Sequence, residues 1–364
     1  MSNWPNWLPL RNDLRDLTPY GAPQLDTPVR LNTNENPYSL TPEVAGKILK
    51  RISEVITDLN RYPDRDAITL RTNLANYINS QSNTNFTFNE IWAANGSNEI
   101  LQSIFLAFGK KALGFLPSYS MHPLIAKTTK CEWISGKREQ DFKIDLIKAE
   151  QLIESEKPNL VFVTTPNNPT GTSISINELQ KIADDCKKVG ALLVIDEAYA
   201  EFAAEDSAVT LISKNPHVLV VRTMSKAFAF AGVRVGYLVA NPDVINALLL
   251  VRLPYHLSSL TQAAAMAAIS MSDLLLADVA KLKEAREKMA GSLTELALTV
   301  FESDANFLAF SGFSMNEKDV WEALVSKGVL VRDIGIPGFL RVTIGSDAEN
   351  AKFLLALQEV MANR

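Results

Sequence analysis

Three short segments of this 364-residue chain each place polar, reactive groups at the end of an apolar run. In the first, Thr165-Pro166-Asn167-Asn168-Pro169-Thr170-Gly171 directly follows the run Leu160–Thr164. In the second, an apolar run from Leu192 closes on Asp196, with Tyr199 three residues further on. The third is Arg222-Thr223-Met224-Ser225-Lys226, with Arg234 eight residues after the lysine. An amine, a carboxylate, a guanidinium, an amide and several hydroxyls are groups that bind a polar ligand and act on it. Ligands of open α/β sheets sit outside the carboxyl ends of the strands, so the spacing predicts one shared crevice. Singly, each segment reads as ordinary structure. Asn-Pro-Thr-Gly is a common turn, Asp196 a helix N-cap, and Ser225-Lys226 a surface loop. Their conjunction is what points to a site.

The elements that must hold these segments are legible as periodicity. Short apolar, β-branched runs at 113–116, 160–164, 192–196, 218–222 and 235–239 alternate with helical patterns at 119–127, 146–155 and 175–189. That alternation predicts an α/β fold with a mainly parallel sheet covered on both faces. Ahead of it, Val44, Ile48, Ile52 and Val55 share one face of a helix starting at Pro42, and further helices fit about 66–78 and 96–108. Residues 243–298 read as almost entirely helical, ending in a long charged helix over 272–298 that could connect two domains. The tail returns to α+β, with strands at 306–310, 329–332 and 339–344, a helix at 316–327 and a last helix. The expected division is an N-terminal arm (1–40) contributing to a small domain, a large ligand-binding domain (41–252), and a small C-terminal domain (253–364) with the long connecting helix.

Composition removes several classes of function. Apolar residues make up 47% and charged residues 21%, enough to build a sizeable core and not a disordered chain. The formal charge is −5, from 36 Lys+Arg against 41 Asp+Glu, so no basic surplus marks a nucleic-acid or membrane-surface binder. Two cysteines, Cys131 and Cys186, are too few for a disulfide scaffold or a Cys-rich zinc module and read as small core residues. The three histidines, His122, His217 and His256, are scattered without ligand spacing, so no metal is expected and each reads as structural. The N-terminus carries neither a basic n-region nor a long apolar run, which makes the cytoplasm the expected compartment. What is left is a reduced, cytosolic, medium-sized enzyme.

Taken in order and spacing, Asn95-Gly96-Ser97-Asn98-Glu99, Asn167–Gly171, Asp196-Glu197-Ala198-Tyr199, Ser225-Lys226 with Arg234, and Arg341 resemble the signature of the fold type I pyridoxal-phosphate enzymes. The resemblance covers nearly the whole chain. It implies the aspartate-aminotransferase-like fold, in which a large domain with a mainly parallel, seven-stranded-type sheet joins a smaller α+β domain. It also implies pyridoxal 5'-phosphate held as a Schiff base by Lys226, whose released amine then shuttles a proton. Asp196 pairs with the pyridine nitrogen, Asn168 and Tyr199 hydrogen-bond the phenolic oxygen, and Tyr119 stacks on the ring. The phosphate rests on the helix starting at Ser97 and Asn98, with Thr223, Ser225 and Arg234 around it, because free N–H groups and the helix dipole favour an anion there. Many relatives open this loop with Gly-x-Gly, whereas Ala94 stands at the first position here.

Asn32-Thr33-Asn34-Glu35-Asn36-Pro37, Asn60-Arg61-Tyr62-Pro63-Asp64 and Arg222–Phe228 are similar to a narrower group, the histidinol-phosphate aminotransferases. In that group the tyrosine matching Tyr62 reaches the cofactor phosphate of a neighbouring subunit, which implies a homodimer with shared active sites. Arg341 matches the arginine that clamps a substrate carboxylate. A second cation, Arg332, suits the phosphate dianion of histidinol phosphate, and the same pair could take 2-oxoglutarate in the second half-reaction. Tyr20 resembles a residue that closes over the substrate phosphate, and Asn36 and Glu35 fall near its imidazole. Within the same fold, an aromatic-amino-acid aminotransferase or a threonine-phosphate decarboxylase are the alternatives. A cofactor-binding regulator should carry a DNA-binding module, and a nucleotide-binding protein a Gly-x-Gly-x-x-Gly or Gly-x4-Gly-Lys-Ser/Thr loop. The chain shows neither.

Overall fold

A computed structural model describes residues 4, 5 and 7–362 of the chain. The arm leads to a two-residue strand, β1 (Val29–Arg30), and then to α1 (Pro42–Ser53) and α2 (Ile68–Ser82). Strands and helices alternate through β2 (Ile91–Ala94), α3 (Ser97–Phe108), β3 (Lys111–Leu116), α4 (Met121–Thr128), β4 (Glu132–Lys137) and α5 (Leu146–Glu156). There follow β5 (Leu160–Thr164), α6 (Ile176–Val189), β6 (Leu192–Asp196), β7 (Val218–Thr223) and β8 (Gly236–Val239). The C-terminal third comprises α7 (Pro242–Leu248), α8 (Ser259–Ile269), α9 (Ser272–Glu295), β9 (Thr299–Val300), β10 (Phe307–Ser311), α10 (Glu317–Ser326), β11 (Val329–Leu330), β12 (Arg332–Asp333), β13 (Phe339–Thr343) and α11 (Asp347–Ala362).

The larger sheet has seven strands in the order β2-β8-β7-β6-β5-β3-β4, and β8 alone runs antiparallel to its neighbours. Its central strands are unbroken apolar runs because both faces are covered. Along β5, Leu160 and Phe162 enter one core with Phe105 and Leu101 of α3, while Val161 and Val163 enter the other with Leu179 and Ile182 of α6. Each such side chain contributes about 1.5–3 kcal/mol on burial. Helix starts are set locally. The Thr41 hydroxyl accepts from Val44 N at α1, and Ser175 and Glu178 form a capping box at α6, which stops at Gly190 in the left-handed region (φ 73). The edge strand β4 (Glu132-Trp133-Ile134-Ser135-Gly136-Lys137) and the alanine-containing β2 were not among the apolar runs. A half-solvated edge needs no continuous apolar stretch, and Ala carries little strand propensity.

The smaller sheet, β12-β13-β10-β9, is antiparallel, and β1 pairs in parallel with β11 beside it. Leu31 N donates to Leu330 O at 2.8 Å and Thr343 N to Leu31 O at 2.9 Å, so the arm is stitched between two C-terminal strands. Helix α9 links the two sheets, and α8 packs against α1 and α2.

The stretch expected to be helical throughout is interrupted over 249–258. Pro254 disfavours helical geometry at Leu253, Tyr255 adopts φ 54, and Arg252 is drawn to Arg65 O (3.0 Å) and Asp66 Oδ1 (2.7 Å). Cys131 and Cys186 are buried and unbridged, and desolvation pushes their thiols up, Cys131 to about 11. No single helix among the described residues is long and apolar enough to cross a membrane.

Candidate active site

The carboxyl ends of β3, β5, β6 and β7 open on one cavity of about 410 Å³. Its other walls are the start of α3, the loop bearing Arg234, the arm residues Tyr20 and 32–35, and Arg332–Ile334 with Arg341 from the smaller sheet. The three segments singled out in the sequence do meet there.

Lys226 is thrown over the strand ends by a tight turn after β7. Thr223 Oγ1 accepts from Ser225 N at 3.1 Å and donates to Ser225 Oγ at 3.0 Å. The Lys226 Nζ then donates to Thr33 O at 2.9 Å. Burial lowers its pKa to about 8, the Arg341 and Arg234 cations push the same way, and Glu35 opposes them. A neutral, nucleophilic amine is therefore accessible near physiological pH.

Asp196 ends β6 at 3% exposure. Its Oδ2 meets His122 Nε2 at 3.1 Å, and its Oδ1 is buried with no hydrogen-bond partner. An unsatisfied buried acceptor costs about 1–3 kcal/mol, so this atom is built for a donor that a ligand brings. Tyr199 Oη accepts from Asn34 Nδ2 at 2.8 Å, and burial raises the phenol to about 12. Tyr119 donates to Asn98 Oδ1 at 3.2 Å and sits edge-on to His122, with ring centroids 5.4 Å apart.

An anion cup lies at the start of α3, where no side chain caps the first turn. Gly96 has φ 82, and a Cβ there would lie 2.5 Å from Arg234 Nη2. A Cβ on Gly236 would lie 2.5 Å from Ser97 N. Both glycines let chain and guanidinium close around the free N–H groups. Ala94 is the last residue of β2, paired with Gly236 in extended geometry, so the missing first glycine of the loop is not needed.

The opposite wall carries cations. Arg341 Nη1 donates to Asn168 Oδ1 at 2.5 Å and Nη2 to Asn32 O at 2.8 Å, while Nε is buried without a partner. Burial lowers this guanidinium to about 10, and it lies 5.0 Å from the Phe307 ring centre. Arg332 is its direct cross-strand partner. Neither arginine, nor Arg234, has a carboxylate within ion-pair distance among the described residues.

Of the expected site residues, Tyr62 and Asn36 lie outside the cavity. Tyr62 is 79% exposed and stacks on Tyr255 at 4.4 Å. Asn36 Nδ2 donates to Ala227 O at 3.4 Å, and its Oδ1 accepts from Tyr38 N, so the side chain holds the arm's backbone. Conversely, His122, read as merely structural, touches Asp196 across 74 positions of sequence. Its place three residues after Tyr119 was the available signal. Asn32, Thr33 and Asn34 are further contributors whose partners only the fold identifies. No group of three or more His, Cys, Asp or Glu among the described residues is placed to hold a metal.

The profile of the family described as aminotransferase class I and II matches residues 26–357. The histidinol-phosphate aminotransferase of Mycobacterium marinum is 51% identical over 98% of this chain and 93% of its own length. Among solved structures, histidinol-phosphate aminotransferase from Sinorhizobium meliloti in complex with pyridoxal-5'-phosphate matches with a TM-score of 0.82 at 24% identity, covering 93% of this chain and 92% of that one. Aspartate aminotransferase from Thermus thermophilus with maleate matches at 0.81 and 21% identity, covering 92% and 91%. At those identities the two structures speak to the fold, which is the aspartate-aminotransferase-like fold type I. By its sequence over nearly its full length, the chain belongs to the class I and II aminotransferases.

Proposed function

We propose that this chain is a pyridoxal-phosphate-dependent transaminase that passes the amino group of histidinol phosphate to 2-oxoglutarate, giving imidazole-acetol phosphate and glutamate in histidine biosynthesis. The observation that carries the reading is one cavity holding a reactive amine at one wall and two adjacent, uncompensated arginines at the other. The residues fit the cofactor: Lys226 Nζ for its aldehyde, the orphaned Asp196 Oδ1 for its ring N–H, Tyr199 and Asn168 for its phenolic oxygen, and the Gly96–Asn98 cup with Arg234, Ser225 and Thr223 for its phosphate. Bound there, pyridoxal phosphate supplies the electron sink for the bond electrons of the substrate's Cα–H.

The chain's own groups do the rest. Lys226 Nζ, neutral above about pH 8, takes the Cα proton. His122 Nε2 holds Asp196 so that Oδ1 stays aimed at its donor. Like charges directly opposite on neighbouring strands destabilise a sheet, so Arg332 beside Arg341 favours a bound dianion such as a phosphate ester. The same pair accepts the carboxylate of 2-oxoglutarate, and Tyr20 closes the mouth. Tyr62, stacked on Tyr255, is exposed together with Leu250 and Leu253 of the same 249–258 loop. We read this exposed face as the seat of a second copy, in a cytoplasmic homodimer where Tyr62 reaches the neighbour's cofactor phosphate. The division into arm 1–40, large domain 41–252 and small domain 253–364 belongs to the same reading.

A substrate panel tests it. Purified protein should be yellow, and one turnover with histidinol phosphate should bleach that absorbance faster than phenylalanine does. A colourless protein that pyridoxal phosphate cannot reconstitute overturns the cofactor assignment, and equal rates with phenylalanine overturn the substrate.

A further inference from the structure

The cup at the start of α3 has no cap of its own, although the residue just before it, Asn95, is of a type that caps helices strongly. Its side chain is engaged elsewhere. Asn95 Nδ2 donates to His256 O at 2.6 Å, and the His256 ring reaches back to Ala93 O at 2.8 Å through Nε2. A carbonyl only accepts, so Nε2 carries a proton, and Nδ1 is buried with no hydrogen-bond partner. The two bonds run in opposite directions, one from the β2–α3 loop to the 249–258 loop and one from that loop back to the end of β2, and form a reciprocal clasp. Two more bonds brace the same turn: Glu99 Oε2 accepts from Asn95 N at 2.6 Å, and Gly96 N donates to Ala94 O at 2.7 Å.

We propose that Asn95 and His256 are positioning residues for the cofactor phosphate, clasping the loop so that the free Ser97 and Asn98 N–H groups stay aimed into the cup. This rests on reading the cavity as a pyridoxal-phosphate site. The clasp fixes the strand-to-helix angle that brings Gly96 under Arg234. Neither residue lines the cavity, so both act through the loop. The 249–258 loop that supplies His256 also carries Tyr255, stacked on Tyr62. A disturbance at that exposed face therefore has a two-bond route to the cup.

The test uses the full-chain apoprotein and three probes: pyridoxal phosphate, pyridoxal and inorganic phosphate. Asn95→Ala should weaken binding of pyridoxal phosphate and of inorganic phosphate about tenfold, the loss of one half-buried hydrogen bond, and leave the affinity for pyridoxal unchanged. His256→Ala should do the same, and His256→Gln, which keeps an N–H within reach of Ala93 O, should restore wild-type affinity. Equal weakening for pyridoxal and pyridoxal phosphate would show a general structural role and overturn the proposal, as would unchanged phosphate affinity in both alanine variants. If Asn95→Ala does not fold by circular dichroism, the His256→Ala and His256→Gln pair decides alone. Should the wild type bind neither aldehyde, the functional reading fails. The inorganic-phosphate arm then still decides the clasp, with loss in the variants supporting it and equal affinity overturning it.

Discussion

The two walls of the cavity are built on different principles. The strand-end wall comes from consecutive loops of one sheet, and its groups are already hydrogen-bonded to each other: Thr223 to Ser225, Asp196 to His122, Tyr119 to Asn98. The facing wall is assembled from the arm and the smaller sheet, some 300 positions apart in sequence, and presents guanidinium groups with no carboxylate partner. One wall is preorganised for a fixed chemical task, with a single acceptor left open at Asp196 Oδ1. The other is an electrostatic socket completed by whatever anion enters. On the proposed function, the comparison teaches a division of labour: the strand ends would set the reaction type, and the arm and the smaller sheet the choice of substrate.

Changes at the first wall should therefore cost rate whatever the substrate. Lys226→Ala removes both the covalent anchor and the proton carrier, and single-turnover bleaching should slow by about 10⁴-fold or more for histidinol phosphate and glutamate alike. Residual rates that differ between those substrates would break the division. Asp196→Asn keeps the shape and the contact to His122 but removes the charge. Losing one member of a buried charged pair is worth about 3–5 kcal/mol, so a fall of roughly 10²–10⁴-fold in rate is expected, again independent of substrate. Stopped-flow absorbance checks both.

Changes at the second wall should sort substrates instead. Arg332→Ala should raise the KM for histidinol phosphate about 10- to 100-fold, the worth of a charge-assisted, partly desolvated pair, with kcat nearly kept and phenylalanine little affected. Steady-state kinetics on the two amino donors measures this. If phenylalanine suffers equally, Arg332 is not a phosphate ligand and the socket description of this wall is wrong.

The same division explains what could be read from residues alone. Strands β5, β6 and β7 were legible because burial on both faces demands continuous apolar runs, and the polar ends of those runs marked the first wall. Strands β1, β4 and β9 were not, since two-residue pairings and a half-wet edge leave no such pattern. The 249–258 interruption hid inside an apolar stretch because helical periodicity survives in residues that Pro254 takes out of the helix. The second wall was reachable only through family resemblance. Nothing in the local sequence of Arg341 records that Asn32 and Asn168 hold it, or that Arg332 lies across the strand. His122 backs the first wall through Asp196 yet was missed for the same reason, its partner being a tertiary neighbour.

The walls are not electrically independent, and a smaller effect should show it. The Lys226 amine is brought down to about 8 mainly by burial, with the Arg341 cation next in weight. In the apoprotein, the rate of covalent capture of pyridoxal phosphate should rise with pH as Nζ deprotonates and level off above about 8, well below the ordinary lysine value of 10.5. Arg341→Gln removes a positive charge that disfavours the ammonium form, so the midpoint should move up toward the ordinary value. The shift should stay a fraction of a unit, because burial, the larger cause, remains. Arg332→Gln, whose charge is absent from the causes acting on Lys226, is the control and should leave the midpoint in place. Capture can be followed by absorbance or by borohydride trapping and mass spectrometry. A midpoint that falls in Arg341→Gln would mean that the loosened arm, through Asn32 and Thr33 O, matters more to Nζ than the cation does. The socket would then govern the amine by geometry and not by charge.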